Sequence, residues 1–245
     1  MKKEFRSRGI RLMKNIDYLH YNIPNLKVYY NADINLLDNV KLQNYVNKSM
    51  LKYFEYSVLE TGEIDNFNFH TDVGNIPDDI YKNLSEAQLN HIKKIPLVFD
   101  KNFLNYTVGY RVRGEKIVIY NYYFYPTVKK GDRRGLKGVT DKDKIQKYMN
   151  NFIKFLNITD SDVKDEIKAF FSLTYKFKGL IITFNENDLV EYKIYGRIET
   201  EKIYKFIEDK ILVDTNVYRK YGEVTLVGQR IRNKQVVGYN IYYLS

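Results

Sequence analysis

The stretch Glu191–Arg197, EYKIYGR, decides how the rest of the chain is read. Extended, its side chains alternate between two faces. Glu191, Lys193, Tyr195 and Arg197 share one face, while Tyr192, Ile194 and the following Ile198 share the other. The apolar face demands a core. The polar face points either into water or into a chamber, and that choice sets both fold and function.

The same pattern recurs along the chain. Five segments read as β-hairpins, near 9–31, 52–73, 105–126, 173–198 and 223–244, around the polar turns NIPN, TGE, RGEK, NEND and RNKQ. Their second strands read NLKVYYN, DNFNFHTD, IVIYNYYFYP, VEYKIYGR and VVGYNIYYL. Four of them carry Lys or Asn, one residue, then Tyr: Lys27/Tyr29, Asn121/Tyr123, Lys193/Tyr195 and Asn240/Tyr242. The other strand aligns Asn66, Asn68, His70 and Asp72 on one face. Opposite faces are mainly apolar or aromatic.

Helical spacing fills the intervals. Asp33 caps a segment with Ile34, Leu37, Val40 and Val46, and Pro77-Asp78-Asp79 opens another through Ile80, Leu84, Leu89 and Ile92. Thr140-Asp141 opens a third, with Ile145, Tyr148, Met149, Phe152 and Phe155 at helical spacing. A fourth runs from Ser161 to Phe171, and a fifth begins near Glu199 with Ile203, Phe206, Ile207 and Ile211. No Ser/Pro-rich linker interrupts the series, so residues 1–245 read as one domain. The expected fold is α+β: a ten-stranded antiparallel barrel with a polar lumen, surrounded by helices and built from five helix–hairpin repeats. The plainer alternative is an open sheet with helices on one face and its polar side in water.

Composition limits the function. With 44% hydrophobic residues the chain is not disordered, and the absence of cysteine excludes disulfides, thiolate metal sites and thiol nucleophiles. No apolar h-region follows the basic start MKKEFRSRGIRLMKN and no run reaches transmembrane length, so a cytoplasmic protein that does not enter membranes is expected. A net charge of +10 favours an anionic partner without choosing one.

A chamber lined by Lys27, Lys193, Arg197, tyrosine hydroxyls and asparagine amides suits a diphosphate. First strands add Arg111 with Arg113, Lys176 with Lys178, and Arg230 with Arg232. Turn-proximal Arg113, Lys178 and Arg232 belong more often to a solvated rim. Tyrosine rings also stabilise a carbocation and exclude water, which an ionising allylic diphosphate requires.

These residues resemble the ABBA-fold aromatic prenyltransferases, including the fungal indole and cyanobactin peptide enzymes. EYKIYGR is similar to the Arg-x-Lys-x-Tyr strand motif of the fungal enzymes, and NYYFYP to their Lys-x-Tyr-Phe-x-Pro strand. The order from TVGYRVRG through FKGLIITFNENDLVEYKIYGRI to the Tyr-rich C-terminus is similar to the cyanobactin branch. The resemblance implies transfer of a dimethylallyl or geranyl group from its diphosphate to an aromatic small molecule or peptide side chain. Lys193 and Tyr195 would hold diphosphate with Lys27, while Tyr29, Tyr123 and Tyr242 would form a tyrosine shield. Glu191 and Asn121 depart from the family's Arg and Lys, and Glu191 is most simply an ion-pair partner for Lys193. Mg²⁺ is compatible with this chemistry but required by no motif. Asp17, with Glu55 in reserve, is the candidate carboxylate base for the acceptor, beside the plainer reading of Asp17 as a surface residue.

Other motifs do not add a site. The chain has no DDxxD motif, the loop GDRRGLKG lacks P-loop spacing, and His20, His70 and His91 are scattered. A basic, tyrosine-rich nucleic-acid binder is the main alternative, and a ligand-binding barrel without chemistry the third. The leading reading has no nucleic-acid partner.

Overall fold

The computed structural model describes residues 11–17, 26–31, 51–59, 64–72, 85–99, 104–113, 116–126, 138–185, 190–211, 216–219 and 221–244. Ten strands are present: β1 (Arg11–Asp17), β2 (Leu26–Asn31), β3 (Leu51–Leu59), β4 (Ile64–Asp72), β5 (Leu104–Arg113), β6 (Lys116–Pro126), β7 (Lys176–Asn185), β8 (Val190–Arg197), β9 (Val224–Arg232) and β10 (Gln235–Leu244). Each strand falls in one of the expected hairpins. The helices are α1 (Glu86–Lys94), α2 (Lys142–Phe155), α3 (Ser161–Leu173), α4 (Thr200–Ile211) and the short α5 (Asn216–Arg219).

Local chemistry explains the helix boundaries. Asp141 caps α2 by accepting from the Lys144 amide at 3.1 Å, and Asp160 caps α3 through the Asp162 and Val163 amides. Ser85 and Gln88 form a reciprocal capping box that starts α1 at Glu86. The expected start of that helix at Pro77, and the helix expected after Asp33, lie outside the described residues. Asn233 and Lys234 both take positive φ, 50° and 62°, which gives the β9–β10 turn the twist of a tight hairpin.

The apolar faces of β6–β10 meet α2, α3 and α4 in one core. Ile145, Tyr148, Met149 and Phe152 of α2, and Val163, Ile167, Phe170 and Phe171 of α3, are buried at i, i+3, i+4 and i+7-type spacing. Across from them Phe184, Ile182, Ile231, Tyr239, Ile241 and Tyr243 are 0% exposed. Each such side chain contributes about 1.5–3 kcal/mol by leaving water. Phe170 stacks on Tyr239 with ring centroids 6.2 Å apart, joining α3 to β10.

The expected architecture is corrected by what packs. The body that carries this core is a five-stranded antiparallel sheet, β6–β10, with helices on one face, not a lumen surrounded by helices. The five equivalent helix–hairpin repeats are also absent from the described residues: α1 precedes β5, α2 and α3 both lie between β6 and β7, and α4 and α5 lie between β8 and β9. Two helices occupy one interval because the broad apolar face of β6–β10 needs that much cover. The polar face is not a water-filled wall either. Asn121, Thr183, Glu191, Tyr195 and Asn240 on it are all buried.

Backbone pairing links the remaining strands to this sheet. β1 pairs with both β10 and β2, giving the order β1-β10-β9-β8-β7-β6-β5-β4-β3-β2 and leaving no unpaired end. On this strand ladder helices lie over one face, and many groups of the polar face bond to one another. Among the described residues, no helix is long and apolar enough to cross a membrane.

Candidate functional site

Antiparallel register collects the polar side chains. Lys193 lies opposite Arg230 and Glu191 opposite Arg232 across β8–β9, while Thr183 lies opposite both Glu191 and Asn121. With alternation, the cations of β9 and the Glu-x-Lys of β8 fall on one face and within reach of one another.

Glu191 is the hub. Arg230 grips it in a fork, Nε donating to Oε1 at 3.2 Å and Nη2 to Oε2 at 2.9 Å. Arg232 Nη2 donates to Oε2 at 2.7 Å, and Lys193 Nζ stands 3.2 Å from Oε1. Burial pushes the Glu191 carboxyl up, but Lys193, Arg230 and Arg232 outweigh it and hold the group well below the usual carboxylate range. Lys193 is lowered to about 8, chiefly by burial, with Glu191 opposing the shift and Arg230 and Arg111 adding to it. Arg111 thus belongs to the same electrostatic neighbourhood.

A second chain of contacts starts at Lys193. Its Nζ donates to Thr183 Oγ1 at 3.1 Å, and that hydroxyl donates to Asn121 Oδ1 at 2.8 Å. Farther along β8, the Tyr195 hydroxyl meets that of Tyr242 at 3.1 Å and accepts from Asn240 Nδ2 at 3.2 Å. Gly228 makes room for this arrangement. A Cβ there would lie 2.7 Å from Tyr195 Cε1, so the ring rests directly on the glycine opposite it. Tyr123 stacks with Tyr125 at 6.2 Å.

The face therefore has two zones: cations around a carboxylate at Glu191 and Lys193, and tyrosines with Asn240 at Tyr195. Successive same-face residues of a strand stand about 6.6 Å apart.

Of the residues expected at the site, Asn121, Lys193, Tyr195, Arg230, Asn240 and Tyr242 join this network, with Arg111 coupled through charge. Tyr123 lies on β6 two residues from Asn121. Lys176 is elsewhere: it pairs with Arg197, four residues and about 13 Å along β8 from Lys193. There it forms a cationic group with Lys178, whose ammonium is lowered to about 8 by burial and then by Arg197 and Lys176. Backbone positions are described for Asp17, opposite Gly238, for Lys27, opposite Met13 and Leu59, and for Tyr29, opposite Arg11 and Ser57. Their side chains, and that of Glu55, lie outside the described residues, as does most of the loop GDRRGLKG.

Two members escaped the sequence reading. Proximity to the turn points Arg232 to a solvated rim, yet it makes the shortest bond to Glu191. Thr183 carries no motif; only its register against Glu191 and Asn121 reveals it. His91 is part of the helical side instead, its Nδ1 2.6 Å from the Tyr192 hydroxyl. Among the described residues, no three His, Cys, Asp or Glu side chains form a metal-holding group.

The chain matches no protein-family model, and no curated protein matches it in sequence.

Proposed function

We propose that the polar face of β6–β10 binds the diphosphate of an allylic isoprenyl donor, and that the protein transfers the isoprenyl group to an aromatic or peptide side-chain acceptor. One observation carries this reading. Lys193, Arg230 and Arg232 converge on a single buried anion position, and Lys193 is followed on the same face of β8 by Tyr195, which pairs with Tyr242.

In the reaction the allylic C–O bond breaks and its electron pair leaves with the diphosphate. Lys193 and the arginines stabilise that developing charge in a site from which water is largely excluded. The allyl cation is stabilised by ring faces, each worth about 0.5–2 kcal/mol. The acceptor's electrons form the new bond, and the proton it loses goes to a base, the role assigned to Asp17. Mg²⁺, where present, would assist on the diphosphate oxygens, and assays with and without it separate the two modes.

The nucleic-acid reading draws on the charge of +10 but gains less from this site, because its cations are buried: the Arg230 side chain is 12% exposed and that of Lys193 17%. A polymer backbone needs them at an open surface.

The test is incubation with labelled dimethylallyl and geranyl diphosphate and a panel of tyrosine, tryptophan and peptide acceptors. The expected result is acceptor-dependent release of diphosphate. Failure of both donors to bind or turn over across the panel overturns the reading.

A further inference from the structure

The point on which Lys193, Arg230 and Arg232 converge is occupied by the Glu191 carboxylate. Both of its oxygens are engaged, Oε1 by Lys193 and Arg230 and Oε2 by Arg230 and Arg232, and its side chain is 7% exposed. Among the described residues, Lys193 and Arg232 alone already outnumber the single negative charge. Surplus positive charge in a buried setting is costly unless an anion meets it. A second observation points the same way. Among the described residues, Arg232 Nε is buried and has no hydrogen-bond partner, so a guanidinium donor is left over beside a carboxylate whose oxygens are taken.

We infer that Glu191 is a resident counter-anion that sets the anion selectivity of this site, holding the cations until a phosphoryl group of higher charge takes Lys193 and the spare Arg232 donor from it. The inference rests on the polar face being a phosphate site, and it adds a selectivity rule. A ligand has to outcompete a carboxylate already forked by arginine, so monoanions fail while dianionic and trianionic phosphates succeed. Mild acid cannot imitate removal of Glu191, because its three cationic partners keep it ionised. The carboxylate has to be changed by substitution.

The experiment measures binding of inorganic diphosphate, orthophosphate and acetate by calorimetry, with unfolding temperatures read alongside, for the native chain and Glu191→Gln. The native chain is expected to bind diphosphate better than orthophosphate and to ignore acetate. Glu191→Gln should bind diphosphate at least about tenfold more tightly, since a competing charge-assisted partner is gone. It should also gain more in unfolding temperature from saturating diphosphate than the native chain does. A folded Glu191→Gln with unchanged or weaker diphosphate affinity overturns the inference, as does absence of diphosphate binding by both proteins. Should Glu191→Gln not fold, Arg232→Met serves: it keeps the Glu191–Arg230 fork and should weaken diphosphate binding about tenfold, and unchanged affinity is the overturning result. Diphosphate binding that follows these rules without isoprenyl transfer sinks the transferase reading and leaves this one standing. Transfer with a Glu191→Gln affinity that does not rise does the reverse.

Discussion

Lys193 and Glu191, two residues apart on the same face of β8, stand 3.2 Å apart, and the same carboxylate is held from β9 by Arg230 and Arg232. One strand thus supplies both a cation and the anion that neutralises it, and the neighbouring strand doubles the cations. The site is an ion cluster first, and any ligand it takes enters that cluster.

Lys193→Met separates the roles of the cluster. Arg230 and Arg232 still satisfy Glu191, so the fold is retained, while the Nζ bond to Thr183 is lost. Diphosphate release is expected to fall by about 100-fold or more, the scale of removing one charge-stabilising donor. Steady-state assays beside a thermal melt check this; native-like turnover by the variant refutes a part for Lys193.

Acid should destabilise the protein through Glu191. Its folded pKa is depressed, so the stability it contributes is complete above the unfolded value near 4.5 and drains as pH falls toward the folded value. Unfolding free energies measured from pH 7 down should decline below about pH 4.5. Glu191→Gln, itself less stable by about 3–5 kcal/mol as a broken buried pair, should show a shallower decline. Parallel pH profiles for the two proteins would contradict the assignment.

Lys178 should act in the opposite direction. Its folded pKa of about 8 lies below the model-compound 10.5, so the unfolded chain binds more protons between those values. Stability therefore rises with pH across that window. Lys178→Met should remove the Lys178 part of that rise and stabilise the protein at pH 7 by about 1 kcal/mol, after allowing for solvent screening at a half-buried group. Denaturant titrations at pH 7 and 10 give both numbers.

Gly228→Ala tests the tyrosine zone. The new methyl would stand 2.7 Å from the Tyr195 ring, which has to shift away from Tyr242 and Asn240. The expected cost is about 1–3 kcal/mol of overpacking. Loss of isoprenyl transfer is expected to exceed any loss of inorganic diphosphate affinity, because the cations are untouched. Equal losses in both would place Tyr195 in the anion site itself.

Tyr239→Phe probes the helical side. The hydroxyl donates to Glu166 at 2.5 Å and accepts from Gln229 Nε2, and Gln229 is 0% exposed. Its removal leaves a buried amide short of a partner and should cost about 1–3 kcal/mol. Diphosphate binding, on the other face of the sheet, should stay unchanged.

Much of the local structure was legible beforehand. Alternation in EYKIYGR and its relatives located every described strand, and Asp141 and Ser161 marked the starts of α2 and α3. The helix expected from Pro77 is described from Glu86 onward, with Leu89 and Ile92 in it as expected and a reciprocal Ser85–Gln88 box just before it; its expected start lies outside the described residues. The site was partly legible for a similar reason. Lys193, Tyr195, Asn240 and Tyr242 announce themselves by repetition, whereas Thr183 and Arg232 enter only through cross-strand register.

What the sequence alone determined was which residues share a strand face, because a period of two is a property of the backbone and independent of its neighbours. It also determined that Glu191 and Lys193 would be close, since they are same-face neighbours on one strand. The tertiary structure decided which strands carry helices, and that the polar face of β6–β10 is buried with its groups bonded to one another. It also brought Arg230 and Arg232 to Glu191. Those outcomes depend on how much apolar area must be covered and on which residues of distant segments fall opposite one another, and neither is encoded within a single strand.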